Sequence, residues 1–245
     1  MDTNLARRAT AEGVGTALLV AVVVGSGIFA TRLSPTDVGL QLLENSIATG
    51  AGLVALILAF GSVSGAHFNP VVSLVDRLGG GLTTTELVAY VLAQVAGAAI
   101  GSVVANLMFE LPAVTASTRL RSSGGLWLGE VVATFGLMTV ILGVVRSGRG
   151  HAAPYAVGGY IAAAYWFTSS TSFANPAVTI GRTLTDTFAG IAPSSVPAFI
   201  VAQIAGGLGA FALARYLHPE PAPPELLVPH EHADAAPRRA TDVIG

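Results

Sequence analysis

Long apolar stretches recur along this chain, separated by short polar gaps. A helix that crosses a bilayer needs about 20 mostly apolar residues. Six runs qualify: roughly Ala9–Ala30, Leu40–Phe60, Thr85–Met108, Gly125–Val145, Ala153–Ser170 and Ser194–Tyr216. Two further apolar runs, near Asn69–Leu78 and Asn175–Leu184, are too short to cross, and each opens on Asn-Pro. Asn is a favoured helix N-cap, and Pro suits the first helical position because its missing N–H would be unpaired there anyway. Both short runs are therefore predicted to be half-helices that start abruptly at their Asn. Irregular backbone at membrane depth survives only where protein buries it or a water-filled cavity solvates it, so the pair reads as re-entrant.

The two halves repeat. Glu12 and Thr16 in the first run match Glu130 and Thr134 in the fourth, and Ala93-Gln94-Val95-Ala96-Gly97 matches Ala202-Gln203-Ile204-Ala205-Gly206. Asn69-Pro70-Val71-Val72 matches Asn175-Pro176-Ala177-Val178. Three full spans per half is an odd number, so the second half enters the membrane from the opposite side. An inverted repeat of this kind places its working site near the midplane, where the halves meet. The expected division is a cytoplasmic N-terminus (1–8), a channel domain (9–216, with repeats over about 9–108 and 125–216) and a disordered cytoplasmic tail (217–245). With the N-terminus inside, Arg7, Arg8, Arg77, Arg146, Arg149 and Arg215 face the cytoplasm, and Arg32, Arg119, Arg121 and Arg182 face outwards. This follows the positive-inside rule weakly.

Composition agrees with the pattern. Hydrophobic residues make up 52% of the chain, charged ones 11%, and the mean hydropathy is +0.68, against about 25% charged in soluble domains. The first run reads better as a retained transmembrane helix than as a signal peptide: it carries Glu12, continues to about Ala30 without a clear cleavage site, and five comparable runs follow. A net charge of -2 offers nothing for nucleic acid. The absence of cysteine removes disulfides, thiolate metal sites and a cysteine nucleophile, and leaves mercurials without a covalent target. His218, His230 and His232 sit in a Pro-rich tail, where a solvated segment is a better reading than a metal site. No metal or cofactor is expected.

Facing half-helix N-termini carry roughly half a positive charge each. With the Asn side chains fixed as caps, amide donors point into the lumen, and the extended residues before each half-helix line it with carbonyls. Such a lumen orients water and polyol oxygens and resists cations and protons. Ser64-Gly65-Ala66-His67-Phe68-Asn69-Pro70-Val71 resembles the first signature of the major intrinsic protein (aquaporin) family, and Ser172-Phe173-Ala174-Asn175-Pro176-Ala177 resembles the second. The resemblance spans about residues 9 to 216. It implies an all-α, right-handed bundle of six transmembrane helices plus two re-entrant half-helices, and a homotetramer in the plasma membrane. It also implies that Glu12 and Glu130 hold the loop backbones, and that His67 is a structural hydrogen-bonding residue.

Two departures bear on selectivity. Val71 stands where the first signature has Ala, and Val178 stands where most members carry a pore-narrowing Arg. Counting on the family pattern puts the remaining filter positions at Thr49, Ala163 and Ser172. A ring of Thr49, Ala163, Ser172 and Val178 has no aromatic group, no His and no Arg, and predicts a wide, near-neutral constriction. Arg182 lies one turn after Val178 on the same half-helix face. It is expected in the outer vestibule, or else snorkelling to the headgroups. The run from Thr171 to Val178 followed by Arg182 resembles a bacterial aquaglyceroporin-like subgroup, some of whose members accompany arsenic-resistance operons, which implies metalloids such as neutral arsenite. The reading is a passive channel for water and small neutral solutes of the glycerol class. A water-selective channel with an atypical filter is the first alternative, and a coupled transporter the second. The buried acids occupy symmetric supporting positions rather than an ion-coupling site. Ser64 and His67 have no converging oxyanion donor or acid partner, which argues against an enzyme.

Overall fold

A computed structural model describes residues 3–219. Among them the chain forms α1 (Thr3–Leu33), α2 (Val38–Ser64), α3 (Pro70–Gly79), α4 (Thr84–Met108), α5 (Gly124–Arg146), α6 (Ala153–Phe167), α7 (Pro176–Gly181) and α8 (Val196–Leu217). In each half two helices precede a half-helix and a long helix follows it, as the repeated sequence blocks require. Local signals set the boundaries. Asp37 caps α2 through Leu40 N at 2.9 Å, a Thr83–Glu86 capping box opens α4, and Gly65 and Gly80 end α2 and α3 with φ of 83° and 94°.

Five helices, α1, α2, α4, α5 and the segment Pro193–Leu217 containing α8, are long and apolar enough to cross a membrane. The run expected over Ala153–Ser170 departs from this. Its helix stops at Phe167, where Thr168 turns extended, and its 15 residues rise only about 22 Å. The extended chain from Thr168 onwards leads into the second Asn-Pro loop. Large apolar side chains such as Leu18, Leu58, Leu92, Ile100, Leu128 and Val201 are exposed on the outside of the bundle. Water would penalise that surface, whereas lipid accepts it.

Packing follows the repeat. α1 lies against α4 and α2, α5 against α8 and α6, and α2 against α6 joins the halves. The α1–α4 and α5–α8 crossings are backbone-close. A Cβ on Gly97 would stand 2.1 Å from Gly13 O, and one on Gly206 would stand 2.4 Å from Val131 O. Only glycine fits at these corresponding positions, as at other close crossings of membrane helices. Each half-helix is thereby drawn inward: α3 packs against α4 and α8, and α7 against α4, α8 and α1, with the two meeting at their starts. His218 follows α8, while the rest of the expected tail, including His230 and His232, lies outside the described residues.

Candidate functional site: a pore between two Asn-Pro loops

The loops that precede the half-helices are strained in the same pattern. Gly65, Ala66 and Phe68 before Asn69 have φ of 83°, 49° and 49°, and Thr171, Ser172 and Ala174 before Asn175 have φ of 62°, 53° and 49°. Left-handed backbone at a non-glycine residue costs of the order of 1 kcal/mol or more, so something must hold it. Glu12 accepts from His67 N at 2.9 Å and Phe68 N at 2.7 Å, while Glu130 accepts from Phe173 N and Ala174 N at 2.9 Å each. Both carboxylates are fully buried. Gln94 bridges Glu12 to Ser73 of α3, and Gln203 bridges Glu130 to Thr179 of α7. Each acid thus ties a loop and, through one glutamine, its half-helix. Ser64 Oγ donates to Glu12 at 2.6 Å, which commits that hydroxyl to the bracket.

At the centre, Asn69 Oδ1 accepts from Val71 N at 2.9 Å, and Asn175 Oδ1 accepts from Ala177 N and Val178 N at 3.0 and 3.2 Å. Pro70 and Pro176 occupy the first turns. The amide of Asn69 donates across the interface to Ala174 O at 2.8 Å, and that of Asn175 donates to Phe68 O at 2.7 Å. Each half-site is therefore pinned by the other. An Asn amide has two N–H donors, so one per side chain remains for a solute. Both asparagines line a cavity whose wall is otherwise largely apolar, with Leu53, Ile57, Leu137 and Ile141 among its residues.

Towards the second-loop end, the same cavity is walled by Thr49, Tyr165, Ser172, Phe173, Val178 and Arg182. Thr49 Oγ1 and Tyr165 Oη share a hydrogen bond of 3.1 Å. Ser172 Oγ is buried without a protein partner. The Arg182 side chain is 3% exposed, donates through Nε to Ala189 O, and sets its guanidinium 3.4 Å from the centroid of the Phe173 ring. At the first-loop end, His67 lines the cavity with Nδ1 3.1 Å from Ser73 Oγ, Nε2 3.8 Å from Asp76 Oδ2, and its ring edge-on to Tyr90.

Comparison with known proteins decides the family. The family model described as major intrinsic protein matches residues 1–173. The aquaglyceroporin AqpS of Rhizobium meliloti is 53% identical over 88% of this chain and 92% of its own length. Aquaporin AqpM of Methanothermobacter marburgensis is 32% identical over 89% of this chain and 99% of its own. The chain belongs to the major intrinsic protein family. The X-ray structure of the aquaglyceroporin from Plasmodium falciparum shares the fold, with a TM-score of 0.70 at 22% identity over 88% of this chain and 98% of that one.

Within the family's architecture, two sequence expectations need correction. Ala163 is exposed on the outside of α6 and does not line the cavity, whereas Ile161 and Tyr165 do. Counting back from Asn175 misplaces the position because it fixes the length of the loop after α6; the helical period settles the face, with Ile161 and Tyr165 one turn apart. Arg182 does not snorkel to the headgroups: it is buried and lines the same cavity as Val178. The cavity wall around Val178 therefore also holds two aromatic residues, Tyr165 and Phe173, and the guanidinium of Arg182. Sequence reasoning also missed Phe173 as a cation's partner and Asp76 as a neighbour of His67.

Proposed function

We propose that the protein is a passive channel for water and small neutral solutes of the glycerol class, with metalloid hydroxides such as arsenite among its cargo. The observation that carries this reading is the pair of cross-pinned asparagines, each with an amide donor left over, in a cavity otherwise lined largely by apolar side chains. A solute with hydroxyls along one edge and carbon along the other is matched on both sides at once. A hydrated cation meets two half-helix N-termini and a buried guanidinium, and loses water without gaining acceptors of the right charge. The Rhizobium relative, an aquaglyceroporin, supports the glycerol class. Val178 beside Arg182, as in the arsenic-associated subgroup that the sequence resembles, supports the metalloid extension. The chain is read as a plasma-membrane homotetramer with both termini cytoplasmic, which makes the His67 end the inner mouth and the Arg182 end the outer.

Stopped-flow light scattering on proteoliposomes tests it with water, glycerol, urea and arsenite. Faster water and glycerol equilibration than in empty liposomes, independent of any ion gradient, is expected. Water flux with none of the three solutes sinks the glycerol-class reading and leaves the water-selective alternative. Val178→Arg, which adds a second cation to the same wall, is expected to lower the glycerol-to-water ratio.

A further inference from the structure

The half-helix α7 turns into a 3-10 turn, Arg182–Leu184, and that turn aims Arg182 inward instead of out. A buried guanidinium is expensive unless its surroundings compensate for it. Here three things do. Ala189 O takes the Nε–H, the Phe173 ring offers its electron-rich face, and the cavity takes the other end of the side chain. Among the described residues, the Ala189 contact is the one hydrogen bond the Arg182 side chain makes to protein, so the remaining N–H donors are available to whatever occupies the lumen. A second guanidinium converges on the same ring. Arg121, from the segment between α4 and α5, lies 5.0 Å from the Phe173 centroid and donates through Nε to Gly190 O at 3.0 Å. Burial pushes the Arg121 pKa down to about 10, which leaves it charged at neutral pH. Phe173 itself is fixed edge-on against Phe199 at 5.3 Å.

Val178 leaves the ordinary cation position apolar, yet the wall around it still holds a charge. We propose that Arg182 is the specificity-determining cation of this pore, and that Phe173 and the Ala189 carbonyl position it there from one helical turn beyond Val178. The inference rests on the channel reading and adds the groups that choose among solutes. Arg182 presents N–H donors on one side of the constriction. Ser172 Oγ, buried with no protein partner, is an acceptor and donor beside it. Thr49 and Tyr165, whose hydroxyls are already paired, supply the remaining polar edge. A neutral solute with two or more oxygens is held by several of these groups at once, and water by fewer. Because the guanidinium is planar and carries its donors in a fixed fork, lysine does not replace it.

The test measures the glycerol-to-water permeability ratio and proton leak in proteoliposomes, with size-exclusion profiles in detergent as the fold control. Arg182→Ala is expected to shift the ratio about tenfold, as the loss of charged hydrogen bonds implies, and to raise proton leak. Arg182→Lys is expected to lie nearer the alanine variant than the wild type. Phe173→Leu, which leaves Arg182 in place but frees it, is expected to shift the ratio in the same direction by less. Arg182→Ala combined with Val178→Arg, which moves the cation back one turn, is expected to recover low proton leak. An unchanged ratio and leak in a well-folded Arg182→Ala protein overturns the proposal. If that variant does not fold, an unchanged ratio in both Phe173→Leu and Arg182→Lys overturns it equally. Wild-type liposomes that conduct no better than empty ones sink the channel reading itself, an outcome distinct from either.

Discussion

The two halves of the pore are built alike where they carry load and differently where they meet solute. In the load-bearing layer the correspondence is close: Glu12 with Glu130, Gln94 with Gln203 and Ser73 with Thr179 make matching hydrogen bonds in their own halves, and Asn69 and Asn175 make matching bonds each into the other half. In and just behind the lining, the repeat puts His67 where the other half has Phe173, with the buried Tyr90 behind it where the other half has Phe199, and the buried Asp76 where the other half has the cavity-lining Arg182. An anion stands 3.8 Å from a polar ring at one end, and a cation sits over an apolar ring at the other. The difference teaches that the repeat conserves the means of burying an irregular backbone, which physics makes obligatory, and leaves the side chains along the lumen free to diverge.

If the load-bearing layer is symmetric, damage to either half must cost the same. Glu12→Ala and Glu130→Ala each strand two buried loop amides and a buried glutamine. Both are expected to lose about 3–5 kcal/mol, read as a collapse of the thermal transition in detergent. A large loss in one half alone breaks the comparison. Next come the helix crossings. Gly97→Ala and Gly206→Ala each force a methyl group onto a neighbouring backbone carbonyl, with an expected loss of about 1–3 kcal/mol each by the same melt. In the divergent lining, Thr49→Val removes the partner of the Tyr165 hydroxyl, for about 1 kcal/mol and a measurable change in glycerol flux. Asp76→Asn is the smallest. It keeps a polar group of the same shape beside His67 and is expected to move the glycerol-to-water ratio by less than twofold. An Asp76→Asn shift as large as that of Arg182→Ala means that both ends select, and the proposed division between them fails.

Much of this was legible in the chain. The six long runs, the two Asn-Pro starts and the matched Glu12 and Glu130 are local or repeated features, and membrane burial leaves such features few alternatives. The short α6 was less legible, because apolar residues continue past Phe167 and hydropathy does not see the turn at Thr168. Ala163 went wrong where counting replaced periodicity. Tyr165 was recoverable from its one-turn spacing to Ile161 and Val157, all three of which line the cavity. Arg182 was not recoverable. Its direction depends on the Phe173 ring and on a carbonyl at Ala189 beyond the half-helix, and neither partner is marked by pattern or composition.

The crossed asparagine bonds also set a clock. Asn69 finds its acceptor at Ala174, 105 residues later in the chain, and at synthesis rates of roughly 5–20 residues per second that partner arrives about 5–20 s afterwards. The groups that hold the first loop in the finished fold, Glu12 and Gln94, belong to its own half and are synthesised well before Ala174. The bracket around each loop is thus complete within one half of the chain, whereas the asparagine pins exist only once both halves are present.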